Sequence, residues 1–108
     1  MATTYKVLGQ VVPAATTATT LYTVPGSTSA VCSTLSICNQ GSTTTYRVAI
    51  RPAGATLAAS HYIVYDSVIQ SNDSVFLTLG VSLAATDVVT VYSVSATMSF
   101  NLFGSEIA

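Results

Sequence analysis

The chain has one histidine, His61, in the stretch SHYIVYDS (residues 60–67), with Tyr62, Tyr65 and Asp66 close by. A histidine oriented by a carboxylate is a common general base. The spacing argues against that here, because five residues along an extended strand place His61 and Asp66 on opposite faces. No nucleophile stands out among the many serines and threonines, and no Gly-x-Ser-x-Gly elbow occurs. The constellation a reaction needs is missing, so no catalytic residue is assigned and no enzyme is expected. The simpler reading is a histidine at a strand start, beside two tyrosines that pack their rings and turn their hydroxyls outward.

Metal and cofactor chemistry finds as little support. The acids are Asp66, Asp73, Asp87 and Glu106, and three fall at or near expected turns or loop ends. Asp73 and Asp87 suit the role of turn acceptors. The Asp-rich spacing of a calcium loop is absent. Cys32 and Cys38 are too far apart for a Cys-x-x-Cys pair, and a single histidine cannot complete a zinc set. No metal and no cofactor are expected. Six residues apart on one strand, the two cysteines would share a face at roughly 20 Å separation, against the ~7 Å that a disulfide tolerates. They read as two free, small apolar side chains beneath a sheet, with an intersubunit bridge as the alternative.

Arg47 and Arg51 are four apart, so they share one face of a strand, and each needs a carboxylate or carbonyl partner. Lys6 is the only other basic residue. Three cations are too few for a phosphate-tracking stripe, so nucleic acid is not an expected partner. Arginine is enriched at protein contact surfaces, where its planar fork makes several directed bonds. Arg47 and Arg51 are therefore candidate interface residues, together with the tyrosines Tyr62 and Tyr65 and, near the N-terminus, Tyr5.

The elements that must position these residues are strands. Val75, Leu77, Leu79 and Val81 oppose Phe76, Thr78 and Gly80, and the same period of two recurs in 88–94 and 97–102. No helical stripe of useful length is present. Strands are expected near 4–12, 20–24, 29–39, 43–51, 61–69, 74–81, 87–94 and 97–103. VPGS (24–27) reads as a turn with positive φ at its glycine. NQGS (39–42) reads as a hairpin loop. RPAGA (51–55) ends a strand, QSND (70–73) and AATD (84–87) are polar turns, and GATLAAS (54–60) has room for one helical turn. Eight short strands with regular turns predict an antiparallel β-sandwich, jelly-roll or immunoglobulin-like.

The length of 108 residues fits a single domain over 1–108, with residues 1–20 as a first strand or an arm reaching a neighbour. Half the residues are hydrophobic, only 6% are charged, and the net charge is −1. A surface with so little self-repulsion favours self-association. No apolar run is long enough to span a membrane, and MATTYKVLGQ lacks the pattern of a secretory signal.

The stretch LYTVPGSTSAVCSTLSICNQGSTTTYRVAIRPAG (21–54) resembles a pattern in small structural proteins of tailed bacteriophages, especially marine and cyanobacterial ones. The pattern is an aromatic-Thr-Val-Pro turn, a long alternating strand ending in Cys-Asn, a small polar loop, and a strand ending in Arg-Pro-Ala-Gly. HYIVYD (61–66) and SFNLFGSEI (99–107) fit it too, so the likeness runs from about 21 to 107. It implies a virion component made in the host cytoplasm, and it brings no catalytic residues. The leading expectation is a non-enzymatic decoration or cement protein that bridges major capsid protein subunits, with trimers at three-fold positions as a natural arrangement. The alternatives are a neck, tail or baseplate adaptor or fibre component, and a carbohydrate- or receptor-binding module using Tyr62 or Tyr65 as stacking platforms.

Overall fold

The computed structural model describes residues 2–108. Eight strands follow one another: β1 Thr3–Val11, β2 Thr19–Thr23, β3 Ser29–Asn39, β4 Thr44–Arg51, β5 Tyr62–Ile69, β6 Ser74–Leu83, β7 Val88–Ser93 and β8 Met98–Ile107. Two single 3-10 turns, Pro52–Gly54 and Ala59–His61, lie between β4 and β5. Residues 3–11 thus form a strand of the fold, the first of the two roles anticipated for the N-terminal segment.

The strands make two four-stranded antiparallel sheets, in the orders β1-β8-β3-β6 and β2-β7-β4-β5. β1 pairs with β8, β2 with β7, β3 with β6 and β4 with β5. That nesting is a long hairpin rolled up on itself, which is the jelly-roll arrangement. It resolves the choice left open with the immunoglobulin topology.

The rolling corrects two expectations. NQGS is not a hairpin loop, because β3 and β4 belong to different sheets and the segment crosses between them. Its short polar loop resembles a hairpin locally, and only the partners of the flanking strands distinguish the two. At VPGS the positive φ falls on Ser27 (58°), so the turn lies one residue later than its Pro-Gly suggests.

Val24, Leu35, Ile37, Val48, Ile69, Val89, Val91, Met98, Phe100 and Leu102 are buried between the sheets. Tyr46 meets Phe100 edge to face across this core, with ring centroids 6.3 Å apart. The first sheet carries a line of bulges. Its register shifts between Val7 and Gly9 in β1 and between Cys32 and Thr34 in β3. Beside the latter, Gly80 of β6 takes a φ of 62°.

The β3 bulge overturns the shared face expected for the cysteines. One extra residue at Ser33 shifts the alternation, so Ala30 and Cys32 point inward before it and Leu35, Ile37 and Asn39 after it. Cys32 is buried, and burial pushes its thiol up to about 11. Cys38 is on the outer face and half-buried. Both are free.

Candidate functional site

Three of the five candidate residues gather on the outer face of the second sheet. Arg47 points outward from β4. Its Nε and Nη2 donate to the two carboxylate oxygens of Asp66 on β5, at 2.6 and 3.3 Å. The guanidinium carbon lies 4.2 Å from the Tyr65 ring centroid and 4.5 Å from that of Tyr92 on β7, so the cation is clamped between two aromatic faces. Hydrogen bonding to Asp66 raises the hold of Arg47 on its proton still further. Tyr65 meets Tyr62 edge to face, with centroids 5.0 Å apart and planes at 81°.

A bulge makes this grouping possible. Asp66 has a φ of 50°, in the left-handed region that aspartate enters more readily than most residues. The β4–β5 register shifts between Tyr46 and Val48 at the same place. The bulge turns Tyr65 and Asp66 together toward Arg47, which a regular strand would prevent. Beside them an open groove of about 570 Å³ runs between the 57–59 segment and β5, lined by Leu57, Ala58, Ala59, Tyr62 and Tyr65.

Arg51 serves the fold. Its Nε donates to Thr90 Oγ1 at 3.0 Å, and its Nη1 donates to the carbonyls of Gly54 at 3.3 Å and Ala55 at 3.0 Å. It ties the 52–55 turn to β7 and buries Thr90 beneath it. Asp87 binds the same turn, accepting from the Ala53 N–H at 2.8 Å and the Ala84 N–H at 2.9 Å. Asp73 accepts from the Ser74 N–H at 2.9 Å. Both aspartates thus take the turn roles their positions suggested. His61 closes its own turn, with Nδ1 accepting from the Ala58 N–H at 3.1 Å. Asp66, the carboxylate considered for it, is engaged by Arg47.

Tyr5 lies far from this cluster, on the outer face of the first sheet, and is 84% exposed. Val7, its neighbour along β1, pairs with Phe103 of β8. Tyr5, Val7, Val31 and Phe103 line a shallow groove of about 620 Å³. Phe76, further across the same face on β6, is 69% exposed. Sequence periodicity sets Phe76 on the face opposite Val75, Leu77, Leu79 and Val81, but nothing in the sequence puts it on the same sheet face as Tyr5 and Phe103. That needs the β1-β8-β3-β6 order.

Glu106 is a third cluster that sequence reasoning missed. It lies beyond the expected end of β8, opposite Ala30 and Thr4. Its carboxylate accepts from the Tyr22 hydroxyl of the other sheet and from Lys6 Nζ at 3.1 Å. Those two donors hold Glu106 below the usual carboxylate range, while burial and then Glu106 push the Tyr22 hydroxyl above its own. A depressed carboxyl contributes stability above the unfolded value of about 4.3 and loses it as pH falls through the folded value. Denaturant midpoints from pH 7 to 3 should therefore drop more steeply for the native chain than for Glu106→Gln, with the difference in slope confined below about pH 5. Parallel curves would remove Glu106 from the sheet-to-sheet link.

Among the described residues, no group of three or more His, Cys, Asp or Glu side chains converges to hold a metal ion, and no helix is long and apolar enough to cross a membrane. Comparison with protein-family models, with curated proteins and with solved structures finds no match for this chain.

Proposed function

We propose that the chain is a non-enzymatic structural protein of a tailed-phage particle, a decoration or cement protein that binds the capsid surface and bridges neighbouring major capsid subunits. The observation that carries this reading is the outer face of the first sheet. Tyr5, Val7, Phe76 and Phe103 stand exposed there on a chain with only seven formally charged side chains, three basic and four acidic. Tyr5, Val7 and Phe103 adjoin there along one groove, with Phe76 standing apart on β6, and a contiguous exposed apolar patch marks an interaction surface. The phage-like pattern in the sequence supports the same reading, as does a rigid jelly-roll, a frame used by viral capsid and lectin domains. Free thiols suit synthesis in a reducing cytoplasm. Small contacts repeated around a symmetric shell add up through effective concentration, so each interface can be modest.

Arg47 and Arg51 make poor probes of such an interface, because their donors already hold the fold together. Tyr5 and Phe76 are better ones. Purified particles labelled with a gold-tagged antibody to this chain should carry gold over the head. The double variant Tyr5→Ser and Phe76→Ser should fold normally and occupy the head at least tenfold less. Gold at one vertex or along the tail would favour the neck or tail adaptor instead. Particles without gold, from cells that contain the protein, would reject the virion reading.

A further inference from the structure

The groove beside Tyr62 and Tyr65 has a role of its own. We propose that it is a binding site for a neutral oligosaccharide, with Tyr62 and Tyr65 as the stacking corner and Asp66 and Arg47 as the hydroxyl-binding edge. The proposal does not depend on where the protein sits on a particle.

Four observations carry it. The first is shape. Two rings 5.0 Å apart at 81° form a right-angled aromatic corner on the wall of a groove of about 570 Å³, a size within the range of small-ligand sites. A sugar ring presents an apolar C–H face and a rim of hydroxyls, so a corner of this kind can take the face on one ring and an edge on the other. The second is order. Tyr65 is 60% exposed, yet the clamped Arg47 guanidinium packs on its ring. Arg47 is in turn held by Asp66 and by Tyr92. An exposed aromatic that is already fixed loses little freedom on binding. The third is charge. The arginine beside the groove is neutralised by the aspartate it binds, so the site favours an uncharged ligand over a phosphorylated, sulfated or sialylated one. The Asp66 carboxylate is 42% exposed and has lone pairs beyond the two hydrogen bonds from Arg47, enough to accept from sugar hydroxyls.

The fourth is the backbone. Asp66 holds a positive φ at a bulge whose effect is to bring Tyr65 and Asp66 to the same place. Bulges that re-aim side chains are over-represented at sheet edges, where β5 lies, and next to active sites. The same bulge also lets Val64 and Ile69, five residues apart, both face the core, so it serves the packing while it carries Tyr65 and Asp66 to the outer face.

The test uses the full chain on an array of neutral glycans, with sialylated and sulfated glycans and proline-rich peptides as competing classes. Neutral glycans should bind. Tyrosine fluorescence titrated with the best of them should saturate, and Tyr65→Ala should weaken binding at least tenfold, with Tyr5→Ala unchanged. Chemical-shift mapping on the unmutated chain should move residues 57–59, 62 and 65 first, which keeps the test sound if Tyr65→Ala folds poorly. Absence of neutral-glycan binding, preference for an acidic glycan or a proline-rich peptide, or shifts that map elsewhere would each overturn the proposal.

Discussion

Gly104→Ala should cost about 3 kcal/mol or more, the upper range for forcing extra volume into a packed interior. In a domain of this size that lowers Tm by more than about 10 °C. A Cβ at Gly104 would lie 2.0 Å from the Val31 carbonyl oxygen and 3.1 Å from the Cys32 Cα. Both are backbone atoms of β3, so no side-chain rotation relieves the clash. Relief requires β3 and β8 to separate where Cys32 faces Gly104, next to the Ser33 bulge. Gly26→Ala is the matched control. Nothing lies within 4 Å of its added Cβ, and its φ is not in the left-handed region, so it should be neutral or stabilise by up to about 1 kcal/mol. Thermal melts of the two variants side by side decide the matter. Equal melting temperatures would mean that the β3–β8 contact can open at no cost.

Gly104 also shows what the sequence could and could not disclose. Every strand was legible from period-two alternation and from the residues that break it, and most boundaries fall within one or two positions. The end of β8 is the exception. The alternation places that end near Phe103, just before Gly104. The strand runs on to Ile107, with Gly104 marking the close approach of β3. That error hid Glu106, whose partners Tyr22 and Lys6 are distant in sequence.

The β3 bulge was half visible. The apolar positions switch from even (Ala30, Cys32) to odd (Leu35, Ile37), which a continuous strand cannot satisfy on one face. The candidate site was legible residue by residue and not as a unit. Arg47, Tyr62 and Tyr65 were each notable as rare or amphipathic side chains. Regular strand spacing puts Asp66 on the face away from His61, and the local positive φ that aims it at Arg47 breaks that spacing. Tyr92 enters only because β7 lies beside β4, with Arg47 opposite Tyr92.

The crossing misread as a hairpin is organised by one buried side chain, and it yields the second large effect. Asn39, at the end of β3, is fully buried. Its Nδ2 donates to the carbonyls of Ser42 at 2.8 Å and Gln70 at 3.1 Å, and its Oδ1 accepts from the Gly41 N–H at 3.1 Å and the Thr97 hydroxyl at 3.0 Å. Three chain connections, 39–44, 69–74 and 93–98, are thus held at one end of the sandwich by a single amide. Gly41 packs against Thr97 so closely that a Cβ there would fall 2.7 Å from its methyl carbon. Asn39→Leu keeps the branched shape but is bulkier, and it strands the Ser42 and Gln70 carbonyls and the Gly41 N–H, while the Thr97 hydroxyl keeps Ser95 as a partner. It should cost about 3–4 kcal/mol, since overpacking adds to the ~1–3 for each buried group left unpaired and water can reach some of them. Asn39→Asp should cost as much at neutral pH for a different reason, because a carboxylate would face the Ser42 and Gln70 carbonyls.

Acid separates the two variants. Once protonated, the introduced carboxyl can donate to one of those carbonyls, so its folded pKa lies above the unfolded value. Its deficit relative to the native chain should therefore shrink as pH falls below that folded value, whereas the deficit of Asn39→Leu should stay flat. Taking each variant as a difference from the native chain at the same pH cancels the separate acid loss at Glu106. A flat deficit for both variants would mean that the amide donor does not hold the crossing and that Asn39 only fills space.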